Sequence, residues 1–341
     1  MSLIIRVWHC QARFSQHKER GCGRGRFREV AKAVLTTKID PTYDDLPEER
    51  YHFPRTYLRQ VEAAVGDWIL YYEPRRPSGD LNGLGGRQAY FATARLSSII
   101  PDPSRPDHFY ALVADYLEFD RPVPFKEGDF YYEAALKKED GSTNKGAFGR
   151  AVRNLPDHEY DLILQVGFAH VLGRKERPRP LPDAPEEPLL IAGFAEPQTV
   201  YEPAIQVRNM ITTISQRPFR DQAFAVAVKT AYQDTCALTG LKIINGGGRS
   251  EVQAAHIRPV SERGPDSVRN GIALTGTMHW MFDRGLISID DDYTVLTAGK
   301  SVPDTVLRLL NPERRLRLPP RPEDRPHPQF LRYHRDVVFK G

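Results

Sequence analysis

Cysteine is scarce in this sequence. The 341 residues hold three, Cys10, Cys22 and Cys236, far apart and with no CxxC pair. That excludes a disulfide framework and points to a reducing, cytoplasmic setting. Long apolar runs are missing too. The opening MSLIIRVWHC is interrupted by Arg6 and is too short for a signal peptide. No stretch reaches the roughly 18 apolar residues of a membrane helix. A strong charge of one sign is also absent: the net charge is +4, so total charge does not announce a polyanion binder. No internal repeat is found.

What remains is an ordinary globular balance, 40% hydrophobic and 27% charged, in a chain long enough for two domains. Much of the positive charge is arginine, which suits phosphate and base edges. Up to about residue 168, short apolar and aromatic runs alternate with Pro/Gly turns. After the Gly66-Asp67 turn, WILYY (68–72) reads as a buried strand, and YFATARL (90–96) as another. Residues 108–117 and 130–136 are further strand candidates. Helices are expected over 27–35 and 57–64. The whole suggests a curved sheet or small barrel. Then RKERPRPLPDAPEEP (174–188) packs five prolines among mixed charges, a stiff linker that marks a boundary. The expected organisation is α+β, with 1–168 as a reader domain, 169–205 as linker and 206–341 as a second domain. FRDQAFAVAVKTAYQ (219–233) opens the second domain with helical spacing.

The chemistry sits in residues 251–285, which begin with EVQAAHIRPV (251–260). Small and apolar residues lead as a strand into His256, and Pro259 ends it. A loop over 261–269 reaches Asn270, the apolar IAL (272–274) forms a second strand, and GTMHWMFDRG (276–285) reads as a short helix closed by Gly285. His279 and Asp283 are four apart and share one helical face. A neutral imidazole can take a proton from water. Imidazole and carboxylate on one face make a partial shell for a divalent ion, and such an ion stabilises charge on a transferring phosphate. Asparagine can hold the loop by side-chain hydrogen bonds. Asp283 could equally pair with Arg284, and Asp290, Asp291 and Asp292 read as a solvated hairpin turn.

The pattern CALTG…AAHIRPVSERGPDSVRNGIALTGTMHWMFDRGLISI resembles the HNH (ββα-metal) endonuclease superfamily, in the branch found among bacterial restriction enzymes. FRDQ…AYQDTCALTG before it and PQFLRYHRDVVF after it resemble that branch too, so the likeness spans 206–341. It implies His256 as the water-activating base, Asn270 as the middle letter and His279 as a metal ligand, with Asp283 as a second ligand. It implies one Mg²⁺ or Mn²⁺ per site, double-stranded DNA as substrate, and 5′-phosphate and 3′-hydroxyl products. Two departures stand out. Ala255 occupies the position before the base, where many members carry a metal-ligating Asp or His. Cys236 stands alone where many members hold a structural zinc with paired cysteines, so no structural zinc is expected and Cys236 reads as a small buried residue.

An HNH site engages backbone phosphate, so sequence or base specificity should come from elsewhere. VGDWILYYEPRR…GRQAYFATARLSSI…HFYALVADYLEFDRPVPF (about 50–135) is similar to the PUA-like domains that include EVE and SRA readers of modified bases. That resemblance implies a modification-dependent (type IV-like) restriction enzyme binding 5-methyl- or 5-hydroxymethylcytosine. Trp68, Tyr71, Tyr72, Tyr90 and His52 are then base-pocket candidates, although aromatics at alternating strand positions serve equally as core. Arg24, Arg26 and Arg28 in the Gly-rich GCGRGR run are phosphate-contact candidates, or a solvated loop; the run lacks the GK[ST] ending of a phosphate loop. Cutting both strands needs two sites, hence a homodimer or two bound copies. An HNH nuclease without modification dependence, and a non-catalytic DNA-binding module, remain as alternatives.

Overall fold

The structure, a computed structural model, describes residues 32–37, 46–75, 86–173 and 210–341. Arg24, Arg26 and Arg28 lie outside them, as does 174–205 of the expected linker.

The first unit is a six-stranded curled sheet. Its strands are β1 (Lys32–Thr36), β2 (Arg50–Pro54), β3 (Trp68–Glu73), β4 (Ala89–Pro101), β5 (His108–Pro124) and, after a small hairpin of β6 (Lys126–Glu127) and β7 (Phe130–Tyr131), β8 (Val152–Leu155). The order is β2-β5-β4-β3-β1-β8. All neighbours are antiparallel except β1 and β3. The expected helix over 27–35 is corrected where it is described: 32–35 belong to β1. AVL is buried on both faces between β3 and β8, and a run of apolar and β-branched residues with no polar face suits a central strand better than a surface helix. The expected strand over 130–136 shortens to β7. Ala134–Leu136 is a 3₁₀ turn, fixed because Ala134 N–H donates to Glu159 Oε1 at 2.9 Å. The helix expected over 57–64 is present as α1 (Leu58–Ala63).

Side chains alternate across the sheet. Trp68, Leu70, Tyr72 and Tyr90 face a core closed by α3 (Asp157–Gly167), α4 (Ala169–Gly173) and α5 (Met210–Ser215), with α2 (Lys145–Phe148) at its edge. Ile69, Tyr71, Phe91 and Tyr116 face the other way, with Phe53 and Val61. Each fully buried aromatic contributes roughly 1.5–3 kcal/mol. Val171 of α4 is buried in the first core, so 169–173, expected as the start of the linker, are packed structure.

The second unit begins with α6 (Arg217–Ala231), close to the helix expected over 219–233. It continues with the hairpin of β9 (Gln253–His256) and β10 (Gly271–Leu274), then α7 (Gly276–Asp283), a second hairpin of β11 (Ile287–Ile289) and β12 (Val295–Thr297), and the short α8 (Asp304–Leu307) and α9 (Pro328–Tyr333). Cys236, Ala255, Ile257, Ile272, Leu274, Met278, Phe282 and Phe330 meet in one core. Gly285 ends α7 at φ +70, and a Cβ there would lie 2.0 Å from the Val338 carbonyl oxygen, so only glycine fits the stop.

The two units meet through apolar and charged contacts. Ala223 of α6 sits in the first unit's core. Arg321 donates to both oxygens of Glu73 at 3.1 Å, and Gln329 donates to Glu49 at 3.0 Å. No helix among the described residues is long and apolar enough to cross a membrane.

Candidate active site on the β9–β10 hairpin and α7

His256 ends β9, paired with Gly271. Its ring stacks on Phe224 of α6, with centroids 3.7 Å apart and planes 12° apart. Nε2 lies 3.0 Å from Asp266 Oδ1. Asp266 is held as a carboxylate at about 2: burial works to raise it, but hydrogen bonds from His256 and Arg217 and the charges of Arg220 and Arg217 override that. A carboxylate only accepts, so Nε2 carries the ring proton. Nδ1 then keeps its lone pair, and the side chain is 18% exposed. A tethered imidazole with one open basic nitrogen is the arrangement that general-base chemistry needs.

Asn270 is fully buried and spends its amide on the loop. Oδ1 accepts from Arg258 N–H at 2.9 Å, and Nδ2 donates to the carbonyls of Arg258 and Pro265, both at 3.0 Å. Gly264 makes that clamp possible: a Cβ there would fall 1.8 Å from the Arg258 carbonyl oxygen. Asn270 therefore shapes the loop that carries Asp266, with both ends of its amide committed.

His279 lies on the exposed side of α7. Its Nδ1 is 2.8 Å from Gln253 Oε1 and its Nε2 is 3.4 Å from Asp283 Oδ2. An amide oxygen accepts, so Nδ1 donates, and Nε2 is the ring nitrogen on the Asp283 side. This is how a metal-ligating histidine is usually oriented from behind. The pair offers one nitrogen and one oxygen donor to a divalent cation. Among the described residues no third His, Cys, Asp or Glu joins them. Ala255 is buried in the core and offers nothing. The donor set therefore fits an open site for a divalent ion whose remaining positions water and phosphate would complete. His256 and His279 occupy opposite ends of β9's surroundings and do not touch; each has its own partners. A third histidine, His334, is structural. It stacks on Phe282 at 3.8 Å, bonds Ser288 and the Phe282 carbonyl, and is held down at about 4 by burial.

Residues 236–290 match the family model described as HNH endonuclease. These residues are an HNH endonuclease domain. No curated protein matches the chain. Three solved structures are similar to it. The modification-dependent TagI restriction endonuclease shares 16% identity over 90% of this chain and 81% of that one, at a TM-score of 0.27. The N-terminal domain of Staphylothermus marinus McrB shares 15% over 39% and 92%, at 0.28. The type IV phosphorothioation-dependent restriction endonuclease ScoMcrA shares 15% over 74% and 45%, at 0.17. Within the HNH domain, Cys236 is buried as a small apolar residue. Trp280, beside His279, is 57% exposed with Arg284 over its ring.

The second feature is a cavity of about 860 Å³ between the curled sheet and the HNH side of the chain. Of the aromatic and histidine candidates, Tyr71 and His52 line it. Trp68, Tyr72 and Tyr90 do not; they point into the helix-covered core, and Tyr90 O–H donates to Glu133. Tyr51, Phe91, Tyr116, Glu118 and Arg269 complete much of the wall. The Tyr71 hydroxyl is buried without a hydrogen-bond partner. Sequence reading missed Asp266, Phe224 and Glu118. Only the Pro265-Asp266 loop composition hinted at the first, and nothing local marks the other two.

Glu118 accepts from Ser267 Oγ and Val268 N–H, each at 3.2 Å, and so ties the cavity wall to the HNH loop. Burial, helped by the charge of Asp324 and opposed by that of Arg87, pushes its carboxyl up to about 7. Between the ordinary glutamate range and 7 the folded protein holds a proton that the unfolded chain has lost, so stability falls as pH rises through that window. Thermal unfolding of wild type and Glu118→Gln from pH 5 to 8 is expected to show the variant gaining on wild type as pH rises. Parallel curves would contradict the assignment.

Proposed function

We propose that this chain is a restriction-type DNA endonuclease that reads modified cytosine with its N-terminal sheet and hydrolyses phosphodiesters in its HNH domain. The observation that carries the reading is His256, inside the HNH match, with Nε2–H tied to a carboxylate and Nδ1 open. In this reading Nδ1 accepts a proton from the attacking water. The water oxygen bonds to phosphorus as the P–O3′ bond breaks, and the leaving O3′ takes a proton from solvent water, which leaves 5′-phosphate and 3′-hydroxyl ends. His279 and Asp283 would hold Mg²⁺ or Mn²⁺, which when bound would stabilise the charge on the phosphate and leaving oxygen. Asn270 keeps the loop between the two strands in its working shape, and Trp280 is placed to meet DNA.

The curled sheet is read as PUA-like, with the cavity as its base pocket. An 860 Å³ space lined by Tyr71, Tyr51, Phe91 and Tyr116 has the size and aromatic walls of a small-ligand site. Its lining includes His52, which bonds Asp102 at 3.0 Å, stacks on His108 and meets the Tyr110 ring at a tilt. The reader comprises the chain to about 173 together with α5, and the nuclease begins with α6. A homodimer supplies the two sites that a double-strand break needs. Matched duplexes carrying cytosine, 5-methylcytosine or 5-hydroxymethylcytosine, incubated with Mg²⁺, Mn²⁺ or EDTA, test this. Cleavage is expected only of modified DNA and only with metal. Equal cleavage of all duplexes would leave an HNH nuclease without modification dependence.

A further inference from the structure

Asp266 joins three parts of the molecule at one carboxylate, 2% exposed. Oδ1 accepts from His256 Nε2 at 3.0 Å and Arg217 Nη2 at 2.9 Å. Oδ2 accepts from Arg217 Nη1 at 3.0 Å and Arg220 Nε at 2.8 Å. Arg217 is itself paired with Asp221 one turn along α6. Arg220 does not stop at Asp266. Its Nη1 donates to the Asp115 carbonyl at 3.1 Å and its Nη2 to the Tyr116 carbonyl at 2.7 Å.

Those two carbonyls are available for a reason. The β4–β5 register jumps between Thr93/Leu117 and Arg95/Ala114, so Asp115 and Tyr116 together face one residue of β4. This is a bulge, and Asp115 sits in it at φ 54. The bulge frees carbonyls from the ladder, and Arg220 takes them. The backbone closes the same junction, since Leu117 of β5 bridges Asp266 in parallel. Two residues beyond Tyr116, Glu118 holds Ser267 and Val268. The loop that orients His256 is thus fastened at consecutive points to one strand of the N-terminal sheet.

We propose that Asp266 is the positioning residue for His256, and that Arg220 anchors it to the β5 bulge, so that the nuclease base is set only while the HNH domain is seated on the N-terminal sheet. This rests on the reading of His256 as the base. The carboxylate fixes the Nε2–H tautomer, Phe224 fixes the ring plane, and Arg217 and Arg220 fix the carboxylate. Loss of the sheet contact would free Arg220, loosen Asp266 and let the ring choose the other tautomer, which presents N–H to the water in place of a lone pair. A reader whose occupied and empty states differ at β5 would therefore control cleavage without touching the scissile phosphate.

The tautomer tests the device in the unaltered protein. In ¹⁵N-histidine spectra neutral His256, assigned by its loss in His256→Ala, is expected to carry its proton on Nε2. A proton on Nδ1 overturns the proposal. In kinetics, Asp266→Asn is expected to lower kcat by roughly 10²–10⁴-fold, as wrong-tautomer variants of base–carboxylate pairs do, with KM for DNA unchanged. Arg220→Met, which keeps Asp266 and Arg217, is expected to lower kcat about tenfold, in line with about 1.4 kcal/mol of lost transition-state stabilisation. If His256→Ala leaves cleavage intact, the base reading itself fails. If His256→Ala stops cleavage but Asp266→Asn keeps both the tautomer and kcat of wild type, Asp266 alone is refuted.

Discussion

His256→Ala is expected to slow DNA cleavage by roughly 10²–10⁴-fold, the span that positioned proton transfer supplies, while DNA binding stays within a few-fold of wild type. The expectation comes from where the ring spends its contacts. One face is on Phe224 and one nitrogen on Asp266; nothing in the hairpin depends on the other nitrogen. Removing the ring leaves Asp266 with Arg217 and Arg220, so no buried charge is orphaned. The alanine variant should therefore fold, with a void where the imidazole was. Added imidazole is expected to restore part of the rate, because the void matches it and Asp266 Oδ1 still faces it. Single-turnover cleavage of a modified duplex, run beside a binding titration, separates the two effects. Unchanged cleavage would remove His256 from the chemistry and favour a domain that only binds DNA.

The HNH segment was legible in the sequence because its signal is local. His256, Asn270, His279 and Asp283 fall within one strand-loop-strand-helix run, and each element carries its own punctuation: Pro259 after the first strand, Gly285 after the helix. The N-terminal sheet was legible only as strands. β3 and β4 announced themselves by apolar runs bounded by turns. β1 did not, because AVL is short and its partners, β3 and β8, lie about 35 and 120 residues further along the chain; helical spacing over so few residues is no evidence against a strand. The aromatic candidates split for the same reason. Alternation says that Tyr71 and Tyr72 face opposite ways, but which face is covered by helices and which opens on a cavity depends on α3, α5 and the HNH side of the chain. Asp266 was illegible as a site residue since its meaning comes from Arg217 and Arg220, nearly fifty residues earlier, and from a bulge about 150 residues away.

Asn270 holds its loop through side-chain hydrogen bonds, as its residue type suggests: the amide is consumed by Arg258 and Pro265. What it supports is the loop on which Asp266 rides. In the proposed reading the site divides into a proton-handling end, His256 with Asp266, and a cation end, His279 with Asp283, joined by β9. Gln253, at the start of that strand, sets the ring of His279, and His256 ends it.

Arg153→Met is expected to cost roughly 3–5 kcal/mol of stability, the toll of leaving a buried charge without its partner. Arg153 on β8 meets Glu133 through two parallel bonds, Nε to Oε2 and Nη2 to Oε1, both at 2.8 Å. Both side chains are about 5% exposed or less. Tyr90 O–H donates to the same carboxylate, and Arg153 Nη1 reaches Thr36 Oγ1 and the Arg150 carbonyl. The guanidinium therefore ties β8 to β1 and, through Glu133, to β4. Methionine keeps the stem's packing but leaves Glu133 with Tyr90 alone. The carboxylate must then take up a proton or draw in water, and either outcome loosens the sheet edge beside Thr36 and Arg150, which line the cavity. Adding Glu133→Leu to Arg153→Met is expected to recover at least half of the loss, since an apolar pair leaves no unpaired charge, only the neutral Tyr90 hydroxyl, Thr36 Oγ1 and Arg150 carbonyl to find new partners. Urea unfolding of the three variants would show it. A single variant with wild-type midpoint, or a double variant worse than Arg153→Met, would mean that the pair holds nothing that packing does not already hold.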